Sequence, residues 1–111
     1  MSLYANYIKE RENKEIIETP EGFATYKIFE NGECYLQDIY ILPEFRNSGL
    51  ATSFADQVCM KAKLAGCSVL IGSVSIDDQN VTRNLKIFLA YGMDVYKIIG
   101  SMIFLRKNLG E

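Results

Sequence analysis

The stretch "QDIYILPEFRNSGLATS", residues 37–53, decides the fold. An apolar run stops at Pro43, which has no N–H to extend a ladder. Arg46-Asn47-Ser48-Gly49 then turns into a segment of different period. From Leu50 to Ala65, Leu50, Phe54, Val58 and Ala62 share one helical face beside Ala51, Ala55 and Cys59. Gly66 ends that helix in the usual way. The first amides of a helix have no intrahelical acceptor, so here they point into the gap beyond the strand, where the helix dipole also favours negative charge. The stretch is a strand, a turn and a helix start arranged for an anion.

Upstream, Asn31-Gly32 predicts a type I′ hairpin joining "FATYKIF", residues 23–29, to a strand over 33–42. Pro20-Glu21-Gly22 supplies an earlier turn. Before it, Tyr4 to Glu10 and Lys14 to Thr19 read as short strands around a polar Glu12-Asn13 break, which makes an antiparallel meander. Alternation places Tyr35, Gln37, Ile39 and Ile41 on one face of the last strand and Leu36, Asp38, Tyr40 and Leu42 on the other. Both faces are largely apolar, so this strand is central.

Downstream, "CSVLIGSVSI", residues 67–76, is a buried strand. Asp77-Asp78-Gln79-Asn80 offers N-caps for a second helix, "VTRNLKIFLAY", stopped by Gly92. Met93 to Ile98 and Ser101 to Lys107 are closing strands. The strand-helix-strand unit should set Ile39–Ile41 parallel and adjacent to Val69–Val74 through a right-handed crossover. Its helix terminus then lies at the carboxyl end of the sheet, where ligands of open α/β sheets bind.

Composition narrows the chemistry. The 111 residues suffice for one domain with its own core, 49% are apolar, and the formal charge of −2 gives no field for a polyanion, so nucleic acid is not an expected partner. No apolar run approaches the ~20 residues that span a bilayer, and "MSLYANYIKEREN" lacks the apolar core of a secretory signal. Cys34, Cys59 and Cys67 are odd in number, distant in sequence and form no CxxC pair. They read as small buried side chains in a reducing compartment, and the expected location is the cytoplasm, away from membranes. Histidine is absent altogether, which excludes Ser-His-Asp and Cys-His nucleophile systems and His-ligated metal sites. No metal is expected. The absence of GxxxxGK[ST] excludes P-loop phosphoryl transfer.

On these residues the chain resembles the GCN5-related N-acetyltransferases (GNAT), the short phage and bacterial type most of all. "DIYILPEFRNSGLATSFADQV" is similar to their acyl-CoA motif, a strand ending in Val/Ile-x-Pro followed by Arg/Gln-x-x-Gly-x-Gly/Ala, met here by Arg46, Gly49 and Ala51. "AYGMDVY" stands where the family has a Tyr-x-x-x-Gly-Phe ending. The resemblance covers residues 22–107 and implies an α/β (α+β) fold: a mixed, mostly antiparallel twisted sheet, a central parallel strand pair splayed at the cofactor cleft, and two main helices. The whole chain, 1–111, is then one acyl-CoA-binding domain.

The resemblance also implies a role for acetyl-CoA as co-substrate. Its pyrophosphate would lie on the amides of Asn47, Ser48, Gly49, Leu50 and Ala51, with hydroxyl contacts from Thr52 and Ser53 and Gly49 leaving room for the phosphate. Its pantetheine arm would run along the backbones of Ile39, Tyr40 and Ile41, the Ile41 amide polarising the thioester carbonyl. Asn80 corresponds to an asparagine that contacts the pantetheine, or serves simply as an N-cap. The reaction implied is direct transfer of acetyl to a primary amine, on a small molecule or a peptide. A non-catalytic acyl-CoA-binding module is the alternative.

Two departures bear on catalysis. Gln37 stands where the polyamine-acetylating branch has a glutamate that takes the amine's proton. Phe88, four residues before Gly92, stands where the family has a tyrosine that protonates the leaving thiolate. Neither side chain can do so. The replacement candidates are Asp38 and Tyr40 on the strand, Tyr91 one turn from Phe88, and Gln37 as the holder of a relaying water. Asp38 could equally be structural, paired with a lysine or a backbone amide, and Tyr40 and Tyr91 could be core packing. Finally, "YIKERENKEIIETPEG" is too short for the two helices that usually follow the family's first strand. The acceptor face is then open or completed by a second subunit, which makes a homodimer one expectation.

Overall fold

The computed structural model describes residues 3–12 and 14–110. Helix α1 (Leu3–Glu12) is followed by strands β1 (Glu15–Thr19), β2 (Gly22–Ile28) and β3 (Glu33–Ile41), helix α2 (Leu50–Leu64), strand β4 (Val69–Ser75), helix α3 (Val81–Ala90) and strands β5 (Asp94–Ile99) and β6 (Met102–Asn108). One sheet takes all six strands in the order β1-β2-β3-β4-β6-β5. Among the described residues only the central β3–β4 pair is parallel.

Four sequence expectations need correction. Tyr4 to Glu10 is not a strand but lies within α1. The run "YIKERE" holds helix formers and neither glycine nor proline, and tertiary contacts do the rest. Ala5 is buried, Tyr4 meets Phe23 edge to face with ring centres 6.2 Å apart, and Lys9 pairs with Glu15 at the start of β1. Asn13, half of the expected break, lies outside the described residues. The β2–β3 hairpin is also not type I′. Of its two turn residues only Gly32 has positive φ, at 87°. Phe29 N–H donates to Glu33 at 2.9 Å and Gly32 N–H to Phe29 at 3.3 Å, a type I turn closed by a left-handed glycine. Asn31 contributes its side chain instead, accepting from Glu33 N–H at 3.1 Å.

The third correction shapes the site. Thr25 pairs with Asp38 and the next residue, Tyr26, pairs with Leu36, so Gln37 is a bulge with no partner. A bulge reverses the alternation. Cys34 and Leu36 before it, and Ile39 and Ile41 after it, therefore all face α2 and join Ala24, Tyr26, Phe54 and Val58 in the core. Asp38 and Tyr40 face the other way, with Phe23 and Thr25.

Beyond the bulge β3 parts from β4. Their pairing covers Glu33–Val69, Cys34–Leu70 and Tyr35–Ile71 and then stops, although both strands continue. Ile39–Ile41 is thus not paired with β4; it forms one lip of a splayed cleft. Helices α2 and α3 pack on one face of the sheet and α1 on the opposite face, against β1 and Phe23. The three cysteines are free and buried. Burial, followed by the neighbouring Cys67 and Cys59, pushes the Cys34 thiol up to about 12.

Candidate active site

Everything in the site follows from how β3 ends. Leu42 N–H donates to Glu21 O on the β2 side at 2.9 Å, so strand alternation turns the N–H and C=O of Ile41 and Ile39 toward the splay. Gly22 permits β2 to approach so closely: a Cβ there would stand 2.2 Å from Tyr40 O. A 3-10 turn over Pro43–Phe45 then carries the chain off the sheet. Phe45 and Arg46 bond back to Leu42 and Pro43, and the Ser48 hydroxyl donates to the Phe45 carbonyl.

From Asn47 to Thr52 the N–H groups find no acceptor among the described residues. The first helix bond of α2 is Ser53 N–H to Gly49 O, at 3.1 Å, and no side chain caps this terminus. Two left-handed residues shape the turn, Asn47 at φ 64° and Gly49 at φ 85°. Asparagine tolerates that conformation and glycine prefers it. A Cβ on Gly49 would meet nothing within 4 Å, so the space before the amides is open. Consecutive free amides on the positive end of a 15-residue helix form a cradle for an anion. Arg46, the motif residue that opens the cofactor-binding turn, ties it to the strand: its Nε donates to Ile41 O at 2.9 Å.

The catalytic candidates fall in three places. Gln37 is exposed at the bulge. Asp38 accepts a hydrogen bond from the Thr25 hydroxyl at 2.9 Å, neither a lysine nor a backbone amide, and Thr25 is only 3% exposed. Tyr40, 42% exposed, stacks on Phe23 with ring centres 5.7 Å apart. Tyr91 lies elsewhere, against α2: its hydroxyl donates to Asp56 Oδ1 at 2.6 Å and touches Cys59 Sγ at 3.4 Å. Burial first, and then the bond to Asp56, push its pKa up, so its proton is held tightly. Phe88 closes the apex of the splay from the helix side, 3.3 Å from where a Cβ on Gly72 would be, and Gly72 immediately follows the last paired residue of β4.

Asn80 begins α3 without a side-chain capping bond. Its own N–H donates to Asp78 Oδ1 at 2.7 Å, and its exposed amide borders a shallow hollow of about 550 Å³ with Arg83, Lys86 and Ile87. Sequence reasoning did not anticipate Thr25, Asp56 or the left-handed Asn47. Its one missed signal was the phase of the apolar residues: Leu36 and Ile39 are three apart, which a regular strand does not place on one face.

The residues from 4 to 87 match the model of the acetyltransferase (GNAT) family. This chain belongs to that family. Among curated proteins it is 38% identical to aminoglycoside N(6′)-acetyltransferase type 1 of Acinetobacter baumannii over 45 residues, which is 40% of this chain and 31% of that enzyme. The likeness thus spans about a third of the relative's length. Among solved structures, a GNAT-family protein from Desulfovibrio desulfuricans superposes with a TM-score of 0.79 at 16% identity, covering 94% of this chain and 77% of the other. A GNAT acetyltransferase from Elizabethkingia anophelis with acetyl-CoA bound gives 0.73 at 16% identity, covering 93% and 82%. The six-stranded sheet with its single parallel pair is therefore a GNAT fold. Among the described residues no cluster of His, Cys, Asp and Glu could hold a metal, and no helix is long and apolar enough to cross a membrane.

Proposed function

We propose that this GNAT chain transfers an acetyl group from acetyl-CoA directly to a primary amine. The observation that carries the reading is the run of unpartnered amides from Asn47 to Thr52 at the edge of a splayed strand pair. Their number and direction suit a pyrophosphate, and each charge-assisted hydrogen bond contributes ~1.5–3 kcal/mol. Leu50 and Ala51 add backbone donors, and the Thr52 hydroxyl is exposed beside them. The splay-facing backbone of Ile39 and the N–H of Ile41 suit an extended pantetheine arm, whereas Tyr40, against expectation, is not available to it, because its N–H and C=O turn the other way, toward β2. Asn80, exposed at the start of α3, is the side chain that would meet the arm from the helix side.

Acetyl-CoA supplies the activated acyl group. The chain's own part is to align that group and to remove the amine's proton. The amide of Ile41, turned into the cleft, is a donor for the carbonyl oxygen as charge develops on it. Asp38 gives one oxygen to Thr25, which fixes its carboxylate on the face opposite α2 and leaves the other oxygen for the incoming ammonium. Gln37 beside it can hold a water that carries the proton outward. Tyr40 walls this lip. The bond of Tyr91 to Asp56 supports a part in fixing α3 against α2. Alignment alone supplies ~7–11 kcal/mol in well-oriented reactions, more than the 10²–10⁴-fold typical of acid–base help.

A binding module without turnover is the second reading, and Phe88 at the apex favours it, since no hydroxyl stands there. Calorimetry with acetyl-CoA, followed by thiol release over a panel of polyamines, aminoglycosides and lysine peptides, separates the two. Binding with release on at least one amine is the expected outcome. Binding with none supports the module, and no binding removes both.

A further inference from the structure

Arg46 stands where the cradle meets the acceptor lip. Its Nε holds the carbonyl of Ile41 at 2.9 Å, and its guanidinium carbon lies 5.7 Å from the centre of the Tyr40 ring. That ring stacks on Phe23 at 5.7 Å and 30°, and Phe23 meets Tyr4 of α1 at 6.2 Å. Tyr40 therefore touches both an aromatic ring and a cation, and the cation belongs to the residue that opens the cradle turn. The remaining hydrogen bonds of the turn are local: Phe45 N–H to Leu42 O, Arg46 N–H to Pro43 O, and the Ser48 hydroxyl to Phe45 O. Residues 43 to 49 are exposed, so packing does not fix the turn.

We infer that Arg46 is a positioning residue that couples the cradle to the opposite face of β3 through the Tyr40 ring, so that a side chain on the acceptor face helps to set affinity for the coenzyme. A guanidinium can donate in its plane and stack with its face at the same time. It thereby ties the turn to the end of β3 and to the aromatic row Tyr40–Phe23–Tyr4. Loosening either tie lowers the fraction of molecules whose free amides are correctly aimed, and apparent affinity falls by that fraction. The coupling is reciprocal: what orders Tyr40 from the acceptor side tightens coenzyme binding, and bound coenzyme stiffens the acceptor lip. Lysine would keep the charge but lose the planar fork.

The inference rests on the reading of the cradle as a coenzyme A site, and coenzyme A itself is the probe. Titrated calorimetrically, Tyr40→Phe should lose less affinity than Tyr40→Leu, because the ring is retained. Tyr40→Leu should weaken binding by about two- to fivefold, the size of an exposed cation–ring contact. Arg46→Lys should weaken it at least as much, and adding Tyr40→Leu to Arg46→Lys should cost little more, because the contact is already broken. Thermal melts of each variant show that the fold is kept. Equal affinity of Tyr40→Leu and wild type, or fully additive losses, would overturn the coupling while leaving the cradle in place. No heat with the wild type would overturn the cradle reading and the coupling with it.

Discussion

Two strands of this sheet, β3 and β4, run into helices at the same end of the molecule, and their junctions treat the backbone differently. After β4, Asp77 N–H donates to the Ser75 hydroxyl at 3.2 Å, Asp78 N–H to Ser75 O, Val81 N–H to Asp78 O and Asn80 N–H to Asp78 Oδ1. Two carboxylates, Asp77 and Asp78, already stand at the positive end of α3. After β3 the amides from Asn47 to Thr52 donate to nothing among the described residues, and the four residues before α2, Arg46 to Gly49, hold no carboxylate. Topology alone therefore does not make an anion site. The difference lies in whether the junction consumes its own donors, which short acidic and hydroxyl side chains do and left-handed Asn47 and Gly49 avoid.

Gly49→Glu should break the contrast most completely. It forces a β-carbon onto φ 85°, a strain of about 1–3 kcal/mol, and brings a carboxylate to the amides. We expect calorimetric affinity for acetyl-CoA to fall by more than about 100-fold, as losing two charge-assisted bonds would produce. Gly49→Ala, with the strain but not the charge, should lose far less. Equal affinity of Gly49→Glu and wild type would mean that the phosphates do not lie on α2.

The strands behind the two junctions differ as well, and this sharpens the comparison from binding to turnover. On the β4 side Phe88 closes the apex over Gly72. Phe88→Tyr should place a phenol there and raise kcat by about tenfold or more if departure of the thiolate limits the rate, with little change in KM for acetyl-CoA. On the β3 side Asp38→Asn should lower kcat by about three- to tenfold and leave acetyl-CoA affinity intact, because the amide still accepts from Thr25 but cannot hold a proton. Unchanged turnover would leave Asp38 with its structural bond alone.

These two regions were also unequally legible in the sequence. The β3 junction announces itself: Pro43 ends the strand, glycine sits where a left-handed residue is needed, and Leu50, Phe54 and Val58 restart the pattern at helical period. The second junction was legible as caps, but no side chain caps the helix: Asp78 accepts from the amide of Asn80 in a turn just before α3. What stayed hidden depends on pairs distant in sequence. The bond from Thr25 to Asp38 spans 13 residues and that from Tyr91 to Asp56 spans 35, and no local pattern encodes either. Helix α1 was misread for a related reason. Tyr4 and Ala5 gain their burial and ring contact from Phe23 and the sheet, so a short segment with a weak pattern of its own took its state from tertiary packing.

Asp78→Ala tests the other side of the contrast and should have the smallest effect. It removes the 2.7 Å bond to Asn80 N–H, whose loss at a helix start typically costs ~1 kcal/mol, or roughly 3–6 °C in Tm for a chain of this size. It also frees one amide and takes away one carboxylate, so this junction comes to resemble the first in part. Affinity for acetyl-CoA should nevertheless stay where it was, because the released amide at Asn80 is followed by Val81 N–H, still bonded to the Asp78 carbonyl, and Asp77 remains. A clear gain in affinity for acetyl-CoA or inorganic phosphate would instead mean that α3 is an anion site held in check by one side chain, and that the two junctions differ in degree and not in kind.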